Sequence, residues 1–210
     1  TETAPIAALT PECDPRVGSV GIPVNCAQIK IHNPNENGEG EIWIKSKTLM
    51  LGYYEDEEAT KEVVYDGWFN SGDIGYQDKD GYVYVTGRSK NVIVTQNGKN
   101  IYPEEIELLL SKIPEIAECM VYGKEVEGEK ELIISVKVIP NQEEIERLHG
   151  KDLKEEEIHK IIWNKIKEVN KTLTSYKAIK NLELKHDEFA KTTTMKIKRY
   201  VELQKDKTKE

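Results

Sequence analysis

The sequence is poor in the residues that build metal centres and disulfide frameworks. Its 210 residues include only 3 cysteines and 4 histidines. Cys13, Cys26 and Cys119 are odd in number and far apart, and the histidines show no spacing typical of metal ligands. This pattern favours a reducing, cytoplasmic compartment with buried or unreactive thiols, and it gives no histidine metal site.

Positive charge and long apolar runs are also scarce. The 30 Lys and Arg residues face 38 Asp and Glu residues, for a formal net charge of -8, which argues against a general nucleic-acid binder. No apolar run approaches the length of a membrane span, so we predict no transmembrane segment and leave peripheral membrane contact open. The chain begins with Thr1 and shows no signal peptide, which suggests an excised fragment.

Apolar residues nevertheless recur in regular patterns, as in a folded protein. The first thirty residues, rich in proline and glycine, are predicted to be loop with short extended pieces. Alternating patterns predict strands at residues 27–32, 41–46, 82–88, 91–96, 118–122, 132–139 and 179–184. Charge and apolar spacing predict helices at residues 56–63, from Pro103 to Ile113, and at 155–170.

The pattern changes between Arg88 and Asn91. Before this point it is almost all strand and turn, whereas strands and helices alternate after it. We therefore predict an α+β fold in two domains: a β-rich domain at residues 1–88 and a small mixed α/β domain at residues 89–210.

The stretch from Ser71 to Lys90 holds two charged side chains on rigid supports. Asp73 follows a predicted Ser71-Gly72 turn, and Arg88 ends an alternating strand. Each residue alone could simply close a turn. Together they suit a nucleotide, because a carboxylate can accept two hydrogen bonds from a ribose diol and a guanidinium can bind the same sugar or its phosphate.

A polar loop at residues 191–196, with the sequence KTTTMK, leads into a basic terminal segment. Two interpretations of Lys196 stay open. It can be part of a solvated basic tail. Alternatively, a flexible loop can bring its compact positive charge to an acyl-phosphate in the transition state.

A series of short motifs stands in the order seen in adenylate-forming enzymes, and the chain resembles the last third of an acyl-CoA synthetase. The motifs are GSVGIP (18–23), GEIW (40–43), GYY (52–54), DGWF with SGD (66–69, 71–73), GRSK (87–90) and YPEEIE (102–107). The segment KTTTMKIKR (191–199) is similar to that of bacterial long-chain fatty-acid CoA ligases. The resemblance implies that residues 1–88 end a large N-terminal adenylation domain and that residues 89–210 form a mobile C-terminal domain.

The resemblance also implies a nucleotide site in the first domain. Thr1 matches a threonine that meets the AMP phosphate, and Glu2 matches a glutamate that holds Mg²⁺. Asp73 matches the residue that hydrogen-bonds the ribose hydroxyls. Arg88 matches its neighbour on the ribose or phosphate.

Three further residues receive roles from the same resemblance. Lys90 falls at the hinge about which the C-terminal domain rotates between two half-reactions. Gly98, which the Asn97-Gly98 pair first places in a hairpin turn, matches a loop that lines the tunnel for the pantetheine of CoA. Lys196 matches the lysine that stabilises the adenylation step.

The sequence departs from the family pattern in two places. Met195 stands where many members have glycine, which predicts a stiffer loop. The Gly-rich loop that would cradle ATP phosphates lies upstream of Thr1 in the family. We therefore expect the fragment to be inactive alone.

The implied parent enzyme joins a fatty acid to CoA through acyl-AMP, using ATP and Mg²⁺. Two alternatives remain: a ligase that loads the phosphopantetheine of a carrier protein, and a non-catalytic binding or regulatory module. Trp43, Trp68 and Phe69 are expected to serve packing rather than ligand stacking. Exposed apolar surface before Lys90 predicts self-association of the fragment.

Overall fold

The computed structural model describes residues 1–95, 98–125 and 132–207, with side chains up to residue 204. The chain divides into two compact units, Thr1–Val92 and Ile93–Glu210. Both contain strands and helices, so the predicted α+β fold class is confirmed. The assignment of the two units to an adenylation domain and a mobile domain stays a prediction.

Unit 1 is built on an antiparallel sheet. Its elements are β1 (Ala8–Leu9), β2 (Ile22–Pro23), β3 (Ala27–His32), β4 (Gly40–Ser46), α1 (Glu57–Val63), β5 (Val64–Tyr65), β6 (Trp68–Gln77) and β7 (Val83–Arg88). Strand β4 pairs with β3 and β6, and β6 also pairs with β5 and β7. Strands β1 and β2 pair with each other. The strand predicted at residues 27–32 is confirmed.

The core of unit 1 lies against this sheet and fixes its register. Ile42, Phe69, Ile74 and Val83 are buried, and full burial of such side chains typically contributes about 1.5–3 kcal/mol each. Phe69 is therefore a packing residue, as predicted. Trp43 stacks between His32 and Tyr65, with ring centroids 4.2 and 5.4 Å away.

The predicted Ser71-Gly72 turn is wrong, because both residues lie inside β6. The backbone still bends there: Gly72 has a φ of +72°, which only glycine adopts without a steric cost. Side-chain hydrogen bonds stabilise the bend, and the strand continues through it. Asn70 Oδ1 accepts a hydrogen bond from Gly72 N at 2.9 Å, and Ser71 Oγ accepts one from Asp73 N at 3.1 Å.

Unit 2 combines a three-strand ladder with helices. Its elements are β8 (Ile93–Val94), β9 (Asn100–Ile101), α2 (Pro103–Leu110), β10 (Ile116–Lys124), β11 (Ile133–Pro140), α3 (Gln142–His149), α4 (Glu155–Asn170), β12 (Asn181–Leu184) and α5 (Arg199–Lys207). Strand β11 pairs antiparallel with β10 and parallel with β12. Strands β8 and β9 form a separate antiparallel pair.

Strand β10 separates two apolar clusters because alternate side chains of a strand point to opposite faces. Val121 joins the larger cluster, together with fully buried residues of α2, β11 and α4. Met120 and Tyr122 join a smaller cluster with Phe189, against which Ile197 packs. The smaller cluster therefore connects β10 to the chain segment that carries Lys196.

Several elements of unit 2 differ from the sequence prediction. The strand predicted at residues 91–96 is reduced to β8, because Ser89–Asn91 forms a 3-10 helix; Gln96 and Asn97 lie outside the described residues. Helices α3 and α5 were not predicted, whereas the bounds predicted for α4 are confirmed. Within the described part of the chain, no helix is long and apolar enough to cross a membrane.

Candidate functional site

Asp73 and Arg88 face each other across strands β6 and β7. Their Cα atoms are register partners, and Arg88 Nε lies 2.8 Å from Asp73 Oδ1. The Asp73 side chain keeps 29% of its surface exposed and the Arg88 side chain keeps 48%. The pair is thus preformed on rigid strands, with part of each charged group still open to a ligand.

Residues on neighbouring strands hold this pair in place. Ser71 Oγ donates to the carbonyl of Ile42 on β4 at 2.8 Å. Ser89 follows Arg88 at the end of β7, and its Oγ donates to the carbonyl of Gly72 at 3.2 Å. These bonds join β4, β6 and the end of β7. The backbone that carries Asp73 and Arg88 therefore has little freedom to move.

Glu2 contacts the segment between residues 48 and 53. The backbone N–H of Met50 donates to the carbonyl of Glu2 at 2.7 Å, and Tyr53 Oη donates to Glu2 Oε1 at 3.4 Å. Burial raises the pKa of Tyr53, and the Glu2 carboxylate raises it further. Thr1 is fully exposed. The structure records no hydrogen bond, in the ranges it describes, from Thr1 or Glu2 to Asp73.

Metal-ligating groups are sparse around Glu2. Among the described residues, no group of three or more His, Cys, Asp or Glu side chains could hold a metal ion. Magnesium is commonly bound by one or two carboxylates plus the phosphates of a nucleotide. Glu2, with 33% of its side chain exposed, fits such a single-carboxylate contribution.

Lys90 and Gly98 lie on opposite sides of the boundary between the two units. Lys90 is exposed in the 3-10 helix Ser89–Asn91 of unit 1. Gly98 closes the β8–β9 connection in unit 2, where its N–H donates to the carbonyl of Thr95 at 2.9 Å. A Cβ on Gly98 would meet nothing within 4 Å, so the requirement for glycine comes from its φ of +72°.

Lys196 lies on a tight turn in unit 2. Thr192 N donates to the carbonyl of Lys196 at 2.8 Å, and Thr192 Oγ1 accepts from Lys196 N at 3.2 Å. An antiparallel bridge between Lys191 and Ile197 closes the turn. The Lys196 side chain is exposed and, among the described residues, forms no ion pair. Its ammonium is therefore available to an anionic ligand.

Met195 adopts the left-handed backbone region in this turn, with a φ of +62°. Its side chain is 70% exposed, so it contributes little packing. The sequence resemblance placed glycine at this position in many relatives, and the positive φ gives a physical reason for that glycine.

Sequence reasoning missed the ion pair that follows this turn. Arg199 Nη2 lies 2.6 Å from both carboxylate oxygens of Glu107 on α2. Burial raises the pKa of Glu107, and the Arg199 guanidinium opposes that shift. The two residues are 92 positions apart, and no local pattern links residues at such a distance. Only the fold brings them together.

Comparison with known families identifies the class of protein to which this fold belongs. Residues 1–54 match the model of the AMP-binding enzyme, and residues 90–205 match the model of the AMP-binding enzyme C-terminal domain. The chain belongs to the AMP-binding, adenylate-forming acyl-CoA synthetase family. The resemblance seen in the sequence is thereby confirmed.

Curated relatives within this family act on several acids. An indoleacetate–CoA ligase of Aromatoleum aromaticum is 40% identical over 147 residues, covering 67% of this chain and 28% of the relative. A long-chain-fatty-acid–CoA ligase of Gallus gallus is 34% identical over 200 residues, covering 91% of this chain and 26% of the relative. The chain thus spans about a quarter of the length of these relatives.

Solved structures give the same family. The o-succinylbenzoate CoA synthetase of Bacillus subtilis bound to its acyl-adenylate intermediate superposes with a TM-score of 0.71 at 27% identity, covering 88% of this chain and 35% of that chain. The same synthetase with ATP and a magnesium ion gives a TM-score of 0.68 at 28% identity, with 88% and 35% coverage.

Proposed function

We propose that this chain is the C-terminal part of an ATP-dependent acid–thiol ligase that forms acyl-AMP and then acyl-CoA. The observation that carries the proposal is the Lys196 turn, because it presents an exposed ammonium from a backbone closed by hydrogen bonds. Relatives that are CoA ligases, and a neighbour bound to an acyl-adenylate, support this reading.

The nucleotide would contact the Asp73–Arg88 pair. Asp73 accepts from Arg88 Nε through Oδ1, which leaves its other oxygen for a ribose hydroxyl. Arg88 retains its Nη groups for the sugar or the phosphate. Thr1 would meet the phosphate of AMP, and Glu2 would supply a carboxylate to Mg²⁺.

The first half-reaction is nucleophilic attack by a substrate carboxylate oxygen on the α-phosphorus of ATP, with loss of pyrophosphate. Negative charge is concentrated between the two anions as they approach. The Lys196 ammonium would offset this charge without transferring its proton, and such preorganised charge lowers the barrier most in a site that excludes water.

The second half-reaction is attack by the CoA thiolate on the acyl carbonyl carbon, which breaks the bond to AMP. We propose that Lys90 is the hinge for the change between half-reactions, since it is exposed in a short 3-10 helix at the end of unit 1. Gly98 would line the pantetheine tunnel, where its φ of +72° keeps the β8–β9 turn tight and free of a side chain.

We propose a long-chain fatty acid as the acyl substrate, supported by the relative from Gallus gallus, whose match extends over 91% of this chain. The net charge of -8 supports small-molecule partners rather than nucleic acid. A cytoplasmic location, self-association of the isolated 210 residues and their inactivity alone remain parts of the same proposal.

The test is a product assay with the full-length protein that contains this chain. It would be given ATP, Mg²⁺ and radiolabelled palmitate, indoleacetate or 2-succinylbenzoate, with either CoA or a carrier protein that carries phosphopantetheine. We expect palmitoyl-CoA as the main product. A thioester only on the carrier protein would replace the CoA assignment, and no acyl-AMP from any of the acids would overturn the enzymatic proposal in favour of a binding module.

A further inference from the structure

Charged contacts hold both ends of the turn that carries Lys196. At its start, Lys191 Nζ lies 2.7 Å from Glu118 Oε1 on β10. Just after its end, Arg199 contacts Glu107 on α2. The start of the turn is therefore attached to β10, and the segment just after its end is attached to α2.

The Arg199–Glu107 contact is more than a surface ion pair. Arg199 Nη1 also donates to the carbonyl of Val121 at 2.8 Å, and Val121 N donates to Glu107 Oε1 at 2.6 Å. The side chains of Arg199 and Glu107 are each only 18% exposed. Since three groups bond one another in a closed ring, α2, β10 and the segment after the turn are locked together.

An apolar contact adds a third attachment. Ile197, the residue directly after Lys196, packs against the small cluster that includes Met120, Tyr122 and Phe189. Lys196 itself is exposed. Lys196 is thus adjacent to one anchored residue, Ile197, and three residues before another, Arg199, while its own side chain is exposed.

We propose that Glu107 and Arg199 are positioning residues for Lys196. They set the backbone origin of its flexible side chain, and they do not touch the substrate themselves. This inference rests on the proposed role of Lys196 in adenylation. Misplacing a catalytic group by about 1 Å can reduce the rate about a hundredfold, so loss of the ring should reduce adenylation even though Lys196 is still present.

The first test uses the 210-residue chain and needs no activity. A lysine-specific protease would cut after Lys196 in the native chain and in the Arg199→Met variant, which adds no new cleavage site. We expect the variant to be cut about tenfold faster, because cleavage follows local opening of the turn. An unchanged rate would overturn the positioning role.

The matched control removes a different ion pair from the same helix. Lys177 Nζ lies 2.6 Å from Glu105 on α2, so Lys177→Met should leave cleavage after Lys196 unchanged. If Arg199→Met does not fold, Glu107→Gln replaces it, since the amide keeps the shape of the carboxylate but removes its charge. Cleavage in the control as fast as in a ring variant, or faster, would contradict the proposal.

The second test is a double-mutant cycle in the full-length protein. Arg199→Met should lower acyl-AMP formation about tenfold when Lys196 is present and by less than about twofold in a Lys196→Ala background. Equal losses in both backgrounds would show that Arg199 does not act through Lys196. If the unmodified protein forms no acyl-AMP, the proposed function fails, and the cleavage test alone decides whether the ring positions the turn.

Discussion

Arg88 holds Asp73 through a single Nε–Oδ1 contact of 2.8 Å, formed between register partners on adjacent strands. The contact needs no ligand, so both charged groups are already in place before a nucleotide arrives. Preorganisation of this kind reduces the entropic cost of binding, because neither side chain has to be ordered by the ligand.

Replacement of Asp73 by asparagine should weaken nucleotide binding in the full-length protein. Hydrogen bonds to a charged group contribute about 1.5–3 kcal/mol, so the Kd for ATP should rise about 10- to 100-fold. Titration calorimetry would measure the change. The matched control is Asp80→Asn, which removes a carboxylate 2.9 Å from Arg16 elsewhere in unit 1; an equal loss of affinity in this control would refute a specific role for Asp73.

Met195→Gly should stabilise the chain. A non-glycine residue in the left-handed region costs about 1–2 kcal/mol, and the greater freedom of glycine in the unfolded chain offsets about 0.5–1 kcal/mol of this gain. We expect a net rise of about 0.5–1 kcal/mol in the free energy of unfolding, measured with urea. Met195→Val should have the opposite effect, since β-branched residues tolerate a φ of +62° poorly. A destabilised glycine variant would contradict the account of the turn.

Cys119 should resist alkylation in the native chain. Burial, helped by the nearby Glu107 carboxylate, raises the pKa of its thiol to about 12. The reactive thiolate is then about one part in ten thousand near pH 8. Cys13 and Cys26 are exposed, so the expectation that the thiols are buried is wrong for these two. Mass spectrometry after brief treatment with iodoacetamide should find label on these two cysteines alone, and on Cys119 only after unfolding. Rapid native labelling of Cys119 would be inconsistent with the packing between α2 and β10.

Glu115 should contribute to stability only when it is ionised. Its side chain is fully buried, with His149 Nε2 at 3.0 Å and Lys165 Nζ at 3.1 Å. Burial acts to raise the pKa of Glu115, but the hydrogen bonds from His149 and Lys165 outweigh it and hold the pKa below its ordinary value of 4.5. A folded-state pKa below the unfolded value gives stability that is present above pH 4.5 and is lost as the pH falls through the folded pKa.

Urea unfolding at a series of acidic pH values would test this contribution. Glu115→Gln should lower the free energy of unfolding by about 1–3 kcal/mol near neutral pH and should flatten its decline in acid. Glu155→Gln is the control, because its partner His186 and Glu155 itself are both largely exposed. An unchanged acid dependence in Glu115→Gln would contradict the account.

The sequence predicted those parts of the fold that follow local periodicity. Helix α4 has an apolar stripe that includes Ile158, Ile162 and Ile166, and all three are buried. Helix α5 gives no such signal, because its inward-facing residues include Arg199 and Glu202, which form ion pairs and have side chains that are 18% and 1% exposed. Helix α3 has one buried residue, Ile145. Periodicity cannot indicate a helix face that is stabilised by ion pairs with distant segments.

The sequence likewise predicted only part of the candidate site. The approach of Asp73 to Arg88 follows from the pairing of β6 with β7; the sequence predicted β7, at residues 82–88, but not β6. The bend at Gly72 was predicted as a turn. The strand continues through it, because Gly72 N donates to Asn70 Oδ1 on the same strand and Ser71 Oγ donates to the carbonyl of Ile42 on β4. The sequence did not predict the Arg199–Glu107 ion pair that follows the Lys196 turn, because Glu107 is 92 positions from Arg199.

The most direct test of the central claim separates the two half-reactions in a Lys196→Ala variant of the full-length protein. Acyl-AMP formation, followed by pyrophosphate release, should fall about 10²- to 10³-fold, as when one preorganised electrostatic group is removed. Thioester formation from supplied acyl-AMP and CoA should change by less than about threefold. Lys198→Ala, two residues along, should affect neither step. Equal loss of both half-reactions, or unchanged acyl-AMP formation, would contradict the role assigned to Lys196.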